Sequence, residues 1–176
     1  MFFARRLVDL MLFRGGPQDL PGDQASLVGS TAAYCILLFI QVALVGPVTG
    51  AAVQSVLATI LLGLYAATVL RMRGLSNRFN QTATALFSSG AVLTLIMLAP
   101  THALRPYLDA LRTASDPASV PMPSPVFALL YLVVGIWGLA IYSHIYRHAL
   151  SVSVIFGVTV TIGFELLLML VFSVLG

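Results

Sequence analysis

The sequence predicts an all-α, polytopic transmembrane bundle of five spans, preceded by a short amphipathic helix lying in the membrane interface. Composition carries the first part of that prediction. Of 176 residues, 59% are hydrophobic and 9% charged, with a mean hydropathy of +1.00. Soluble domains carry about 45–50% apolar and about 25% charged residues. Distribution carries the second part. The apolar residues gather into five runs close to the roughly 20 residues that cross about 30 Å of hydrocarbon, and none alternates with the period of two that a barrel strand requires. Disorder and a coiled coil are excluded by the same numbers, and a disulfide scaffold by the single cysteine, Cys35.

The organisation divides into a segment 1–24 and a membrane domain 25–176. In the segment, Phe3, Leu7, Leu10 and Arg14 fall at helical spacing, while Arg5, Arg6 and Asp9 interrupt the apolar run. A signal peptide has an uninterrupted core and a small-residue cleavage site, so an interfacial helix ended by Gly15-Gly16-Pro17 is the expectation. The first span covers about 27–45 and the turn Gly46-Pro47-Val48-Thr49-Gly50 leads to the second, about 51–70. The third covers about 82–99 and is expected to stop at Pro100, which lacks the amide proton to continue the ladder. His102 to Arg112 reads as a short surface helix within a polar loop, and Pro121-Met122-Pro123-Ser124-Pro125 as an extended lead into the fourth span, about 126–145. The fifth covers about 150–175.

Arginines orient the bundle. All nine basic residues are Arg. Arg5, Arg6, Arg14, Arg71, Arg73, Arg78 and Arg147 fall on one side; Arg105 and Arg112, beside Asp109 and Asp116, fall on the other. The positive-inside rule then places the N-terminus in the cytoplasm and the C-terminus outside. Such scattered clusters lack the concentrated basic face of a nucleic-acid binder, so no nucleic-acid partner is expected.

Glu165 is the only charged residue inside a predicted span, roughly 15 Å below the outer surface at about 1.5 Å per residue. A carboxylate there is costly and faces the bundle interior or a partner. Thr161 lies one turn earlier on the same face, and Gln41 and Gln54 fall in the outer halves of the first two spans, so Glu165, Gln41 and Gln54 are expected to meet at similar depth, with Thr161 beside them in one polar site. The arrangement reads either as a proton- or substrate-handling site or as a hydrogen-bonded clasp between helices. Tyr142, His144, Tyr146, Arg147 and His148, with Arg5, Arg6 and Arg14, read as interfacial anchors. His144 and His148 share a helical face, but two imidazoles are not a metal site, so no metal and no cofactor is expected. A phosphate loop, HExxH and a nucleophile elbow are missing, and Ser88-Ser89-Gly90 has no histidine deep in another span, so enzymatic activity is not expected.

Two stretches carry a family likeness. Arg78-Phe79-Asn80-Gln81-Thr82 leads through Leu86-Phe87-Ser88 to Met97-Leu98-Ala99-Pro100, and Ile136-Trp137-Gly138-Leu139 leads through Arg147-His148-Ala149-Leu150-Ser151. With a cytoplasmic segment before five spans, the chain resembles the Yip (Ypt-interacting protein) family. The resemblance implies a small five-span membrane protein; eukaryotic members act in vesicle traffic, bind small GTPases and associate with one another, and bacterial members share the fold without an agreed activity. The short N-terminal segment departs from the eukaryotic pattern and points to the bacterial type, in the inner membrane. The functional expectation is a non-enzymatic scaffold or accessory subunit that binds lipids, other membrane proteins or itself and organises the bilayer. Gly29, Ser30, Ala32, Ala33, Gly135 and Gly138 would allow the close helix contacts this needs. The alternative is a small transporter or channel-like protein using Glu165.

Overall fold

The structure, a computed structural model, describes residues 2–175 and contains α1 (Phe2–Met11), α2 (Gln24–Ala43), α3 (Val48–Met72), α4 (Phe79–Thr113), α5 (Pro125–Leu150) and α6 (Val154–Leu175). No strand occurs among the described residues. Helices α2 to α6 are each long and apolar enough to cross a membrane. The chain is an all-α bundle with the character of an integral membrane protein, and α2 to α6 run alternately up and down.

Local chemistry sets the ends. Asp23 caps α2: its carboxylate accepts from the Ser26 amide at 2.9 Å and from the Ser26 hydroxyl at 2.7 Å, satisfying one of the first-turn donors. Pro47 occupies the N-cap of α3, and α3 ends ahead of Gly74, whose φ of +69° suits glycine. Pro125 opens α5 at a position where its missing amide proton costs nothing. Residues 121–124 before it carry no regular structure, as the prolines require.

The principal correction concerns the third span. Helix α4 does not stop at Pro100; it runs 35 residues through Pro100 and Pro106. The short surface helix expected at 102–112 is its continuation. A proline costs a helix one ladder bond and a steric clash, but neighbouring helices and hydroxyls can hold the rest of the ladder in place. Here Thr101 Oγ1 donates to Met97 O at 2.7 Å, and Arg112 reaches across to Val45 O on the α2–α3 turn. At about 1.5 Å per residue the helix is about 52 Å long, well beyond the hydrocarbon thickness. Its charged last turns, with Arg105 and Arg112 flanking Asp109 at 3.6 and 3.3 Å, therefore project past the apolar zone.

Helix α4 is the axis of the bundle. Every residue from Thr82 to Ala91 is buried, so this stretch is enclosed on all sides. Helices α2 and α5 pack against it most extensively, α3 lies beside α2, and α6 lies beside α5. Tyr65 on α3 ties that helix to α6 by donating to Val160 O at 2.8 Å. Small residues make the close approaches possible. A Cβ on Gly90 would lie 2.6 Å from the Tyr142 hydroxyl and 2.8 Å from the Tyr34 ring; one on Gly157 would lie 2.6 Å from Ser143 O.

The N-terminal helix also departs from expectation. Its stripe is helical as expected, but Leu7, Leu10 and Met11 are buried against the bundle rather than laid on lipid. Trp137 Nε1 donates to Met11 O at 3.2 Å and His144 Nε2 bonds Gly15 O at 2.8 Å, so the segment is strapped to α5. Leu20, only 2% exposed, continues the docking. Phe2, Val8, Leu12 and Phe13 form the exposed side.

Gly157→Ala is expected to lower stability by about 1–3 kcal/mol, because the new methyl meets backbone that cannot move aside. Gly29→Ala, with nothing within 4 Å of its Cβ position, is expected to be neutral or mildly stabilising; thermal denaturation of both variants in detergent checks the pair. The Ser26 contacts hold the Asp23 carboxyl below its ordinary value of 3.8. That stabilisation is present above the unfolded-state value and lost as pH falls through the folded-state value. The thermal midpoint of Asp23→Ala should therefore lie below that of the native chain at neutral pH, with the gap closing in acid.

Candidate functional site: a groove around Glu165

Four helices leave a space between them. Tyr34 and Gln41 from α2, Thr94 and Met97 from α4, Tyr131, Gly135 and Tyr142 from α5, and Phe164 and Glu165 from α6 line a cavity of about 500 Å3. Ligand pockets commonly hold about 300–1,000 Å3 and combine apolar walls with a few polar groups. Gly135 and Gly138 leave the α5 wall thin, and Gly135, Leu139 and Glu165 are exposed along it. The cavity is thus a groove open on the flank of the bundle.

A polar cluster closes the end of the groove distant from α1. Thr101 spends its only hydroxyl proton on Met97 O, so its oxygen accepts from Tyr131 Oη at 2.5 Å and from Gln41 Nε2 at 3.4 Å. One threonine thereby ties α2, α4 and α5 together at the turn where Pro100 removes a backbone donor. At the other end, Tyr142 donates to Leu86 O at 3.3 Å and its hydroxyl fills the notch at Gly90. Tyr34 packs against Phe87 with ring centroids 5.6 Å apart. Aromatic rings therefore seal the groove toward α1.

Glu165 stands between these ends. Its side chain is exposed on the flank, and no hydrogen bond or ion pair among the described residues engages its carboxylate. Of the expected polar site, only Gln41 joins Glu165 in the groove. Thr161 is fully buried and serves the α5–α6 contact, where Ser143 donates to it at 3.2 Å while it donates to Gly157 O at 3.1 Å. Gln54 is exposed on α3 and does not line the groove. Helix periodicity explains the split: Thr161 and Glu165 share one side of α6 but differ enough in angle that one faces α5 and the other the opening.

The expected anchors also separate. Tyr142 and Tyr146 are core residues, 8% and 0% exposed, so they are not lipid anchors. Tyr146 packs edge-on against Tyr65 at 6.3 Å. Arg5, Arg14 and Arg147 are exposed, and Arg6 lies 3.8 Å over the Phe2 ring while donating to Asp19 O. The His144 and His148 rings meet edge-on with centroids 4.4 Å apart, and His144 is committed to Gly15. Among the described residues no third histidine, cysteine or carboxylate joins them in a metal-sized group.

Thr101, Tyr131, Tyr34 and Thr94 were missed as site residues. Pro100 assigned Thr101 to a loop, and the tyrosines sit in apolar runs that read as plain spans. Buried hydroxyls of Thr84, Ser88 and Ser89 on α4 and of Tyr146 on α5 find no partner among the described residues. Thr101→Val is expected to cost about 1–3 kcal/mol, because it strands the Tyr131 hydroxyl and the Gln41 amide. Tyr131→Phe, which leaves Thr101 its bond to Met97, should cost less in the same denaturation assay.

Comparison of the chain with protein-family models, with curated proteins and with solved structures finds no match to any of them.

Proposed function

We propose that the protein is a non-enzymatic accessory or scaffold subunit of the membrane, and that it binds a transmembrane helix of another membrane protein along the groove. The observation that carries this reading is Glu165: an exposed, unengaged carboxylate on the flank of an apolar bundle, beside a groove with a glycine-thinned wall. In hydrocarbon such a group is costly until a donor covers it. A partner helix with a hydroxyl, amide or basic side chain at that depth would supply the donor, and its small-residue face would fit against Gly135 and Gly138.

The seven-to-two distribution of arginines supports a cytoplasmic α1 end and an outer C-terminus. The likeness to bacterial Yip-type proteins supports an inner-membrane setting, and self-association along the groove would be a second form of the same contact. The cavity volume supports a second reading, in which Glu165, Gln41 and Thr94 handle a small cation or proton within the groove.

Affinity isolation of the full-length protein from native membranes in mild detergent tests the proposal. A stoichiometric partner or homo-oligomer is expected, and its recovery should fall on Gly135→Trp, which fills the groove, and on Glu165→Leu. Recovery of a bare monomer, or of a partner indifferent to both substitutions, would overturn it. Proteoliposome flux abolished by Glu165→Gln would establish the second reading in its place.

A further inference from the structure

A second cavity, of about 310 Å3, lies at the α1 end of the bundle, away from the groove. It forms where the 17–19 turn crosses the first turn of α4 and the last turn of α5. Its polar lining comes from Gln18, Arg78, Gln81, Thr82, His148 and Ser151, and no carboxylate lines it. Nearly every polar group there can donate a hydrogen bond.

Arg78 is the fixed point of the cavity. Its Nη1 donates to Ala149 O and to Ser151 Oγ, each at 2.9 Å. Those two bonds aim the guanidinium and cap the last carbonyls of α5. Its Nη2 and Nε enter no hydrogen bond among the described residues, so three N–H donors on two nitrogens remain for an acceptor in the cavity. Ser151 helps to hold this geometry from the left-handed region, at φ 54° and ψ 50°, a conformation glycine would take more readily. Thr82 is turned inward, donating to Arg78 O at 2.9 Å.

The setting matches the lining. Arg14, Arg71, Arg73 and Arg147 belong to elements at the same end. The nearest acidic group in sequence, Asp19, has its carboxylate engaged by the Gly16 amide at 2.8 Å. Basic pockets between transmembrane helices at the polar boundary suit lipid phosphates, and guanidinium donors suit phosphate oxygens in paired geometry.

From this we infer that the Arg78 cavity is a phosphate-binding site, taking the phosphate of a phospholipid headgroup or a free phosphate ion. The phosphate oxygens accept from the free Arg78 donors and from the Gln81 and Gln18 amides, with the glycerol of a lipid passing out beside the 17–19 turn. A bound headgroup joins the N-terminal segment to the ends of α4 and α5.

The test uses the full-length protein, delipidated in nonionic detergent, with native mass spectrometry and titrations of dioleoylphosphatidylglycerol, dioleoylglycerol and inorganic phosphate. Saturable retention of phosphatidylglycerol is expected, with none of dioleoylglycerol. Gln81→Glu and Gln18→Glu place a carboxylate at the site without removing the Arg78 cap, and each should weaken retention at least ~10-fold by Coulomb repulsion and occupation of Arg78. Gln18 is exposed, so its variant decides the matter if Gln81→Glu folds poorly. Phosphatidylglycerol retained with no response to inorganic phosphate assigns the headgroup as ligand. Inorganic phosphate that binds and displaces the lipid, with the same losses in both variants, assigns the free ion. Retention of dioleoylglycerol equal to that of phosphatidylglycerol, or retention unchanged in both variants, would overturn the inference.

Discussion

The enclosure of α4 is the constraint on which the rest of the structure depends. A helix surrounded by other helices has little room for bulky side chains, so its middle, TATALFSSGA from Thr82 to Ala91, is small at every position except Leu86 and Phe87. Within a membrane there is no hydrophobic drive between helices, and close packing with hydrogen bonds takes its place. Gly90 lets Tyr34 and Tyr142 lie against the axis, and those two rings in turn mark one end of the groove. Thr101, one residue past Pro100, gathers Gln41 and Tyr131 at the other end. The groove is the gap left between two closely fastened levels of one helix.

The same constraint explains the N-terminal segment. Beside α5, the α1 end of α4 offers an apolar surface, and Leu7, Leu10, Met11 and Leu20 bury against it. Trp137 and His144 then use backbone carbonyls of that segment as acceptors. Two side chains that look like boundary residues are thereby committed to the fold. Arg78 has a comparable double role, closing α5 with one nitrogen while leaving others free.

Much of the fold was legible in the residues. Runs of apolar side chains near membrane length mark α2, α3, α5 and α6, because lipid selects for length and hydropathy and both are local. Helix α4 was misjudged at Pro100, since the cost of a proline is local whereas the contacts that tolerate it, Thr101 to Met97 and Arg112 to Val45, are tertiary. Glu165 and Gln41 were legible as polar residues out of place, and they do share a groove. Gln54 was not separable from them, because depth can be counted along a helix but the direction a helix faces is set by its neighbours. Tyr142 and Tyr146 were read as anchors from their nearness to the helix end. Burial among the neighbouring helices, Tyr142 against α4 and Tyr146 against Tyr65 of α3, which periodicity in so uniformly apolar a helix cannot indicate, decides otherwise.

Accessibility along α4 tests the account most directly. In bilayers containing a phospholipid whose acyl chain carries a photoactivated diazirine, the carbene inserts into side chains that touch lipid. Labelled residues would be mapped by tandem mass spectrometry along 82–91 and at the exposed positions Ile60, Leu64, Leu166 and Leu170. Protection at every position from 82 to 91, with labelling at the other four, is the result expected of a central, enclosed helix. Labelling that recurs along 82–91 with the period of a helix would place one face of α4 against lipid and contradict the architecture on which the groove rests.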